Sequence, residues 1–179
     1  MRFSLNLSKR QTTIVLAVAS VSLIAALVLV LYYFFVTNVK EEDVDMYTFK
    51  HFSWDELTAS DTAKQYNLSN TPGEEEKRNL IALVMKVLDP LREQYGKPIK
   101  VNSAYRSPFI NQKEGGAETS QHVKGQAADI TGGSKEENKK LFEILKSMDF
   151  DQLINEKDYS WIHVSYKQIG YNRGQILNL

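Results

Sequence analysis

The sequence has no cysteine among its 179 residues, and only three histidines and four prolines. Without cysteine it forms no disulfide, no thiolate metal site and no cysteine-linked lipid anchor, so any metal centre must be built from imidazole and carboxylate. No acidic residue occurs before Glu41, and no charged residue lies between Gln11 and Val39. From Glu41 onward, 18 basic residues stand against 22 acidic ones, which leaves no basic surplus for nucleic acid. Internal repeats and low-complexity tracts are also missing.

The uncharged stretch is the first positive feature. Ile14 to Val36 is almost wholly apolar, and as a helix it would span about 35 Å, enough for a ~30 Å hydrocarbon core. A cleaved signal peptide has an apolar core of only ~7–15 residues ending in small residues. This run is longer and ends in Tyr32, Tyr33, Phe34 and Phe35, aromatics suited to a membrane interface. Residues 12–36 therefore read as a single transmembrane anchor. Arg2, Lys9 and Arg10 precede it, and Glu41, Glu42, Asp43 and Asp45 follow. That asymmetry puts residues 1–11 in the cytoplasm and everything after the span on the extracytoplasmic side. Residues 37–49 read as a polar linker and 50–179 as one domain.

Within that domain the pattern is α+β: a small, mostly antiparallel sheet with helices packed on it. Ser53 with Glu56 has capping-box spacing and predicts a short helix from Trp54. Thr71-Pro72 predicts a second helix start, with Glu74, Glu75 and Glu76 matched to its dipole. Leu80, Leu83, Val84, Val87, Leu88 and Leu91 mark its buried face. Pro90 should interrupt this helix and Gly96 cap it. Ile99 to Ala104 and Ala127 to Thr131 read as strands, separated by an irregular connection over residues 107–119. Ser134 caps a helix carrying Leu141, Ile144, Leu145 and Met148. Gln152 to Asn155 and Trp161 to Tyr166 form a hairpin around Lys157 to Ser160.

Two of the three histidines fall in this framework with a carboxylate between them. His122 and Asp129 stand seven apart, Gly125 allows the chain to turn between them, and His163 lies on the last hairpin strand. Two imidazoles and one carboxylate leave a fourth position for water, as in a catalytic rather than a structural zinc site. His51 has no second ligand at helical spacing and reads as a packing residue. A four-residue loop pairs Glu156 with Trp161 and Ile154 with His163, so Glu156 shares the face of His163.

The motifs Ser103-Ala104-Tyr105-Arg106-Ser107-Pro108, Ser120-x-His122-x-x-Gly125-x-Ala127-x-Asp129 and Trp161-Ile162-His163-Val164-Ser165 resemble those of the M15 metallopeptidases. That family holds zinc D-alanyl-D-alanine carboxypeptidases and related phage endolysins. Phe52 to Leu57, Asn70-Thr71-Pro72, Leu88 to Arg92 and Asp151 to Ile154 are similar as well. The resemblance implies one zinc ion held by His122, Asp129 and His163. It also implies that Arg106 binds substrate or stabilises charge on the carbonyl oxygen, and that Ser120 positions substrate. The chain departs from the family where many members carry an acid three positions before the last histidine, because Ser160 stands there. Glu156 is the candidate general base and Asp158 the second choice. Trp161 reads as packing beside the metal site. The expected function is a membrane-anchored zinc peptidase cutting peptidoglycan stem peptides, as carboxypeptidase or endopeptidase. The alternative is an inactive metal- or wall-binding module.

Overall fold

The computed structural model describes residues 47–179 together with the isolated positions Leu27 and Val44. The chain divides into two units, Met1–Asp43 and Val44–Leu179. Of the first only Leu27 is described, in helical conformation. The anchor expected at residues 12–36 and most of the linker lie outside the described residues. Among the described residues no helix is long and apolar enough to cross a membrane.

Two short helices open the second unit. The first, α1 (Trp54–Thr58), is capped by Ser53, whose hydroxyl accepts the Glu56 N–H and donates to the Glu56 carboxylate. The second, α2 (Asp61–Tyr66), is capped by Ser60 and ends at Asn67 in the left-handed region. Then α3 (Glu74–Leu83) begins after Gly73, which offers no side-chain cap. The start expected at Thr71-Pro72 is thus displaced by two residues. Thr71 instead bonds Ser69 through its hydroxyl.

Helix α3 widens into a π-helical turn (Val84–Leu88) and continues as α4 (Asp89–Tyr95). Pro90 explains the widening. It has no N–H, and its ring would press on the carbonyl of Lys86 in a regular α-helix. Asp89 accordingly donates its N–H to the Val84 carbonyl. Gly96, with φ +72°, ends α4 as expected. Leu80, Leu83, Val84, Val87, Leu88 and Leu91 are all fully buried, each contributing roughly 1.5–3 kcal/mol of burial.

The remaining elements are β1 (Lys100–Ser103), α5 (Pro108–Lys113), β2 (Ala127–Thr131), α6 (Lys135–Leu145), β3 (Gln152–Glu156), β4 (Trp161–Ser165) and β5 (Gln175–Asn178). The stretch read as irregular over 107–119 therefore contains a helix, started by Pro108 at a first-turn position. The sheet order is β1-β2-β4-β3-β5. Three neighbouring pairs are antiparallel and β3–β5 is parallel, so the sheet is mixed but mostly antiparallel. Strand alternation sends Ala128, Ile130, Leu153, Ile162 and Val164 to one face, where all five are fully buried in the helical core. The opposite face carries Asp129, Ile154, Glu156, Trp161 and His163.

Candidate metal centre

Register does most of the work of building the site. Asp129 on β2 lies opposite His163 on β4, and His163 lies opposite Ile154 on β3. Directly opposed residues share a face, so the carboxylate and imidazole converge there. The hairpin register matches the one expected from the loop length: Glu156 opposes Trp161. His122 arrives from outside the sheet, in the turn before β2. Gly125 closes that turn at φ +66°, and a Cβ there would lie 2.4 Å from the Glu76 carbonyl oxygen. The turn can therefore sit on α3 only with glycine at this position.

The His122 ring is oriented from behind. Its Nδ1 lies 2.7 Å from the Ala104 carbonyl oxygen, which can only accept. The proton therefore sits on Nδ1, and Nε2 presents its lone pair to the site. Ala104 is placed by a bulge in β1: Val101 opposes Ile130 and Ser103 opposes Asp129, leaving Asn102 as the extra residue.

Three ligand atoms then meet. His163 Nδ1 is 2.9 Å from Asp129 Oδ1, His122 Nε2 is 3.2 Å from His163 Nδ1, and His122 Nε2 is 3.4 Å from Asp129 Oδ1. Tetrahedral zinc with bonds of about 2.0–2.1 Å separates neighbouring ligand atoms by about 3.3 Å. The donor set and its spacing fit one such ion, and this is the one cluster of three potential ligands among the described residues. Burial alone would raise the Asp129 carboxyl, but its close contacts with the His122 and His163 imidazoles outweigh burial and hold the group well below the usual carboxylate range. It is an anion, as a ligand must be.

Arg106 stands beside this cluster on a rigid segment. Its N–H donates to the His122 carbonyl at 3.2 Å. Asn70 clasps the peptides on both sides, donating to the Tyr105 carbonyl at 3.0 Å and accepting the Ser107 N–H at 2.8 Å. The guanidinium lies 3.9 Å from Asp129 Oδ2 and donates to Glu114 Oε2 at 3.1 Å. Its Nε is buried without a hydrogen-bond partner.

Ser120 accepts the His122 N–H at 3.3 Å, so its hydroxyl also shapes the ligand turn. Glu156 is half-buried at the end of β3, on the face of His163. Asp158 points away to solvent. Its side chain is 75% exposed and bonded to Lys135 at 2.8 Å, and the Lys135 ammonium holds its carboxyl low. Ser160 spends its hydroxyl on the Lys157 carbonyl. Trp161 is half-buried under the Lys157 ammonium, 5.1 Å above the ring. His51 lies apart from the cluster, with Nε2 3.7 Å from Glu93.

Sequence reasoning missed three members of this neighbourhood. Glu114 gave no signal, because the helix that delivers it was read as irregular. Asn70 was noted only as part of a motif. Gln121, next to His122, donates to the fully buried Asp151 carboxylate at 3.0 Å. Asp151 also takes Lys167 at 2.8 Å and both Nε and a terminal nitrogen of Arg173.

No curated protein matches the chain. A family model described as Peptidase M15 matches residues 50–165, ending at the last residue of β4 and covering every group at this centre. The chain belongs to the M15 peptidase family.

Proposed function

We propose that the protein is a zinc peptidase of peptidoglycan stem peptides, with His122, Asp129 and His163 holding one zinc ion. One observation carries this reading: three ligand atoms from two strands and a turn meet within 3.4 Å, with the His122 lone pair aimed inward by Ala104. Zinc held there would supply Lewis acidity and a water acidified toward neutral pH. Arg106 supplies a fixed cation beside the reacting carbonyl, where negative charge develops. Ser120 fixes the turn and, as the family resemblance implies, positions the substrate. Glu156 shares the face of His163 and takes the proton from the attacking water, then passes it to the leaving amine. Asp158 is the weaker choice, since its charge is already engaged by Lys135.

The substrate assignment is supported by the family and by the topology read from the sequence. Residues 12–36 anchor the chain in the cytoplasmic membrane, with residues 1–11 inside and the peptidase domain facing the wall. Protease added to intact spheroplasts should remove the domain and leave a membrane-bound N-terminal fragment. Full protection of the domain would reverse the orientation.

Activity is tested with the zinc-loaded full chain and purified muropeptides, read by mass spectrometry. Released D-alanine identifies a carboxypeptidase and split stem peptides an endopeptidase. Zinc retention without any cleavage supports the second reading, an inactive wall- or metal-binding module. Ser160, standing where many family members carry an acid, favours that reading.

A further inference from the structure

We propose that Glu114 makes this cleft select peptide bonds inside a chain and reject substrates whose free C-terminal carboxylate adjoins the scissile bond. The proposal rests on the peptidase reading above and deepens it.

The argument starts from the donors of Arg106. A substrate carboxylate binds arginine best through two parallel N–H groups. One terminal nitrogen already donates to Glu114 at 3.1 Å, and the other faces Asp129 Oδ2 at 3.9 Å. An incoming carboxylate would have to displace Glu114 or settle between two existing carboxylates. Glu156 adds a third on the same face as His163. One zinc ion and Arg106 balance these three charges, so a further anion makes the cleft net negative. The carbonyl of an internal peptide bond needs only one donor and brings no charge. Like-charge juxtaposition of this kind is how sites reject a competing ligand.

Glu114 is held in place. Its N–H donates to the Ile110 carbonyl at 3.0 Å, closing the end of α5. The turn that follows is locked by Asn111, which is 3% exposed. Its main-chain carbonyl accepts the Gly116 N–H at 2.9 Å, and its side-chain amide donates to the Ala117 carbonyl at 2.8 Å. A Cβ at Gly116 would lie 2.2 Å from the Asn111 amide oxygen, so the turn accepts no other residue there without shifting it.

The test compares acetyl-D-alanyl-D-alanine with its C-terminal amide. Binding to the zinc-loaded full chain, with Glu156 intact, is measured by calorimetry using the uncleavable ketomethylene isostere of each peptide, and turnover is measured with the peptides themselves. The amide should bind and turn over on the order of tenfold better than the free acid. Glu114→Gln and Glu114→Ala should each erase most of that preference by improving the acid. Equal or better handling of the free acid by the parent chain overturns the proposal, as does an unchanged preference in both Glu114 variants. If neither peptide binds any zinc-loaded form, the peptidase reading falls and this inference with it.

Discussion

At the scale of single residues, the site separates groups that look alike in the sequence. Glu156 and Asp158 are two positions apart, yet only Glu156 shares the sheet face of His163. Glu156→Gln should cut kcat by about 10²–10⁴-fold with zinc content unchanged. Asp158→Asn, which disturbs only an exposed ion pair with Lys135, should stay within about twofold. Steady-state kinetics with metal analysis decides between them, and equal losses would remove Glu156 from its role. Gly125 carries a different kind of constraint. Gly125→Ala meets both a left-handed φ and the Glu76 carbonyl oxygen at 2.4 Å, so it should cost about 3 kcal/mol in a urea melt. A loss below about 1 kcal/mol would mean that the turn moves freely off α3. The three potential ligands and Gly125 were legible because imidazole, carboxylate and glycine do things other residues cannot. Glu114 and Asn70 were not. A glutamate and an asparagine are ordinary surface residues until the fold brings Arg106 between them.

At the scale of elements, the strand residues announced themselves and their connections did not. Alternation and turn residues located β2 and the β3–β4 hairpin, because a half-buried strand must alternate and a short loop fixes register. Helix α5 is six residues long, too short for a period to show, and β5 is a four-residue edge strand with two exposed residues at its start. Strand β5 is held by its parallel ladder with β3, and Asp151 anchors the segment leading into it, its side chain reaching forward to Lys167 and Arg173 and back to Gln121. Burial alone would raise the Asp151 carboxyl, but its bonds to Arg173 and Lys167 hold it far below the ordinary range. Its folded-state pKa is therefore depressed. The stability it contributes is fully present above the unfolded value of about 4 and is lost as pH falls below that toward the folded value. Asp151→Asn should lower stability at pH 7 by about 1–3 kcal/mol and flatten the acid limb of the stability curve. Denaturant melts from pH 7 to pH 2.5 check this, and an unchanged acid limb would show that other carboxylates govern it. Because Gln121 adjoins His122, the same variant should also loosen zinc.

At the scale of the whole molecule, the cluster of potential ligands and the core of the described domain occupy opposite faces of one sheet. Ala128, Ile130, Leu153, Ile162 and Val164 are fully buried on the helical side, and none of that packing runs through the ligands. The ligand cluster is nevertheless preformed, with His122 fixed by Ala104 and Asp129 bonded to His163. Such a domain should keep its fold when the ion is removed, unlike small zinc modules that unfold without metal. A zinc ion held only by the folded cluster should, at saturation of a thousand times Kd, add about 4 kcal/mol. For a domain of this size that raises Tm by on the order of 10 °C. Circular dichroism of the chelated protein should show the α+β spectrum intact and activity absent. Added zinc should restore both the higher Tm and the activity. His122→Ala should melt at the chelated protein's temperature with or without zinc. Loss of secondary structure on chelation would instead mean that the two faces are not independent, and that the ion belongs to the folding core.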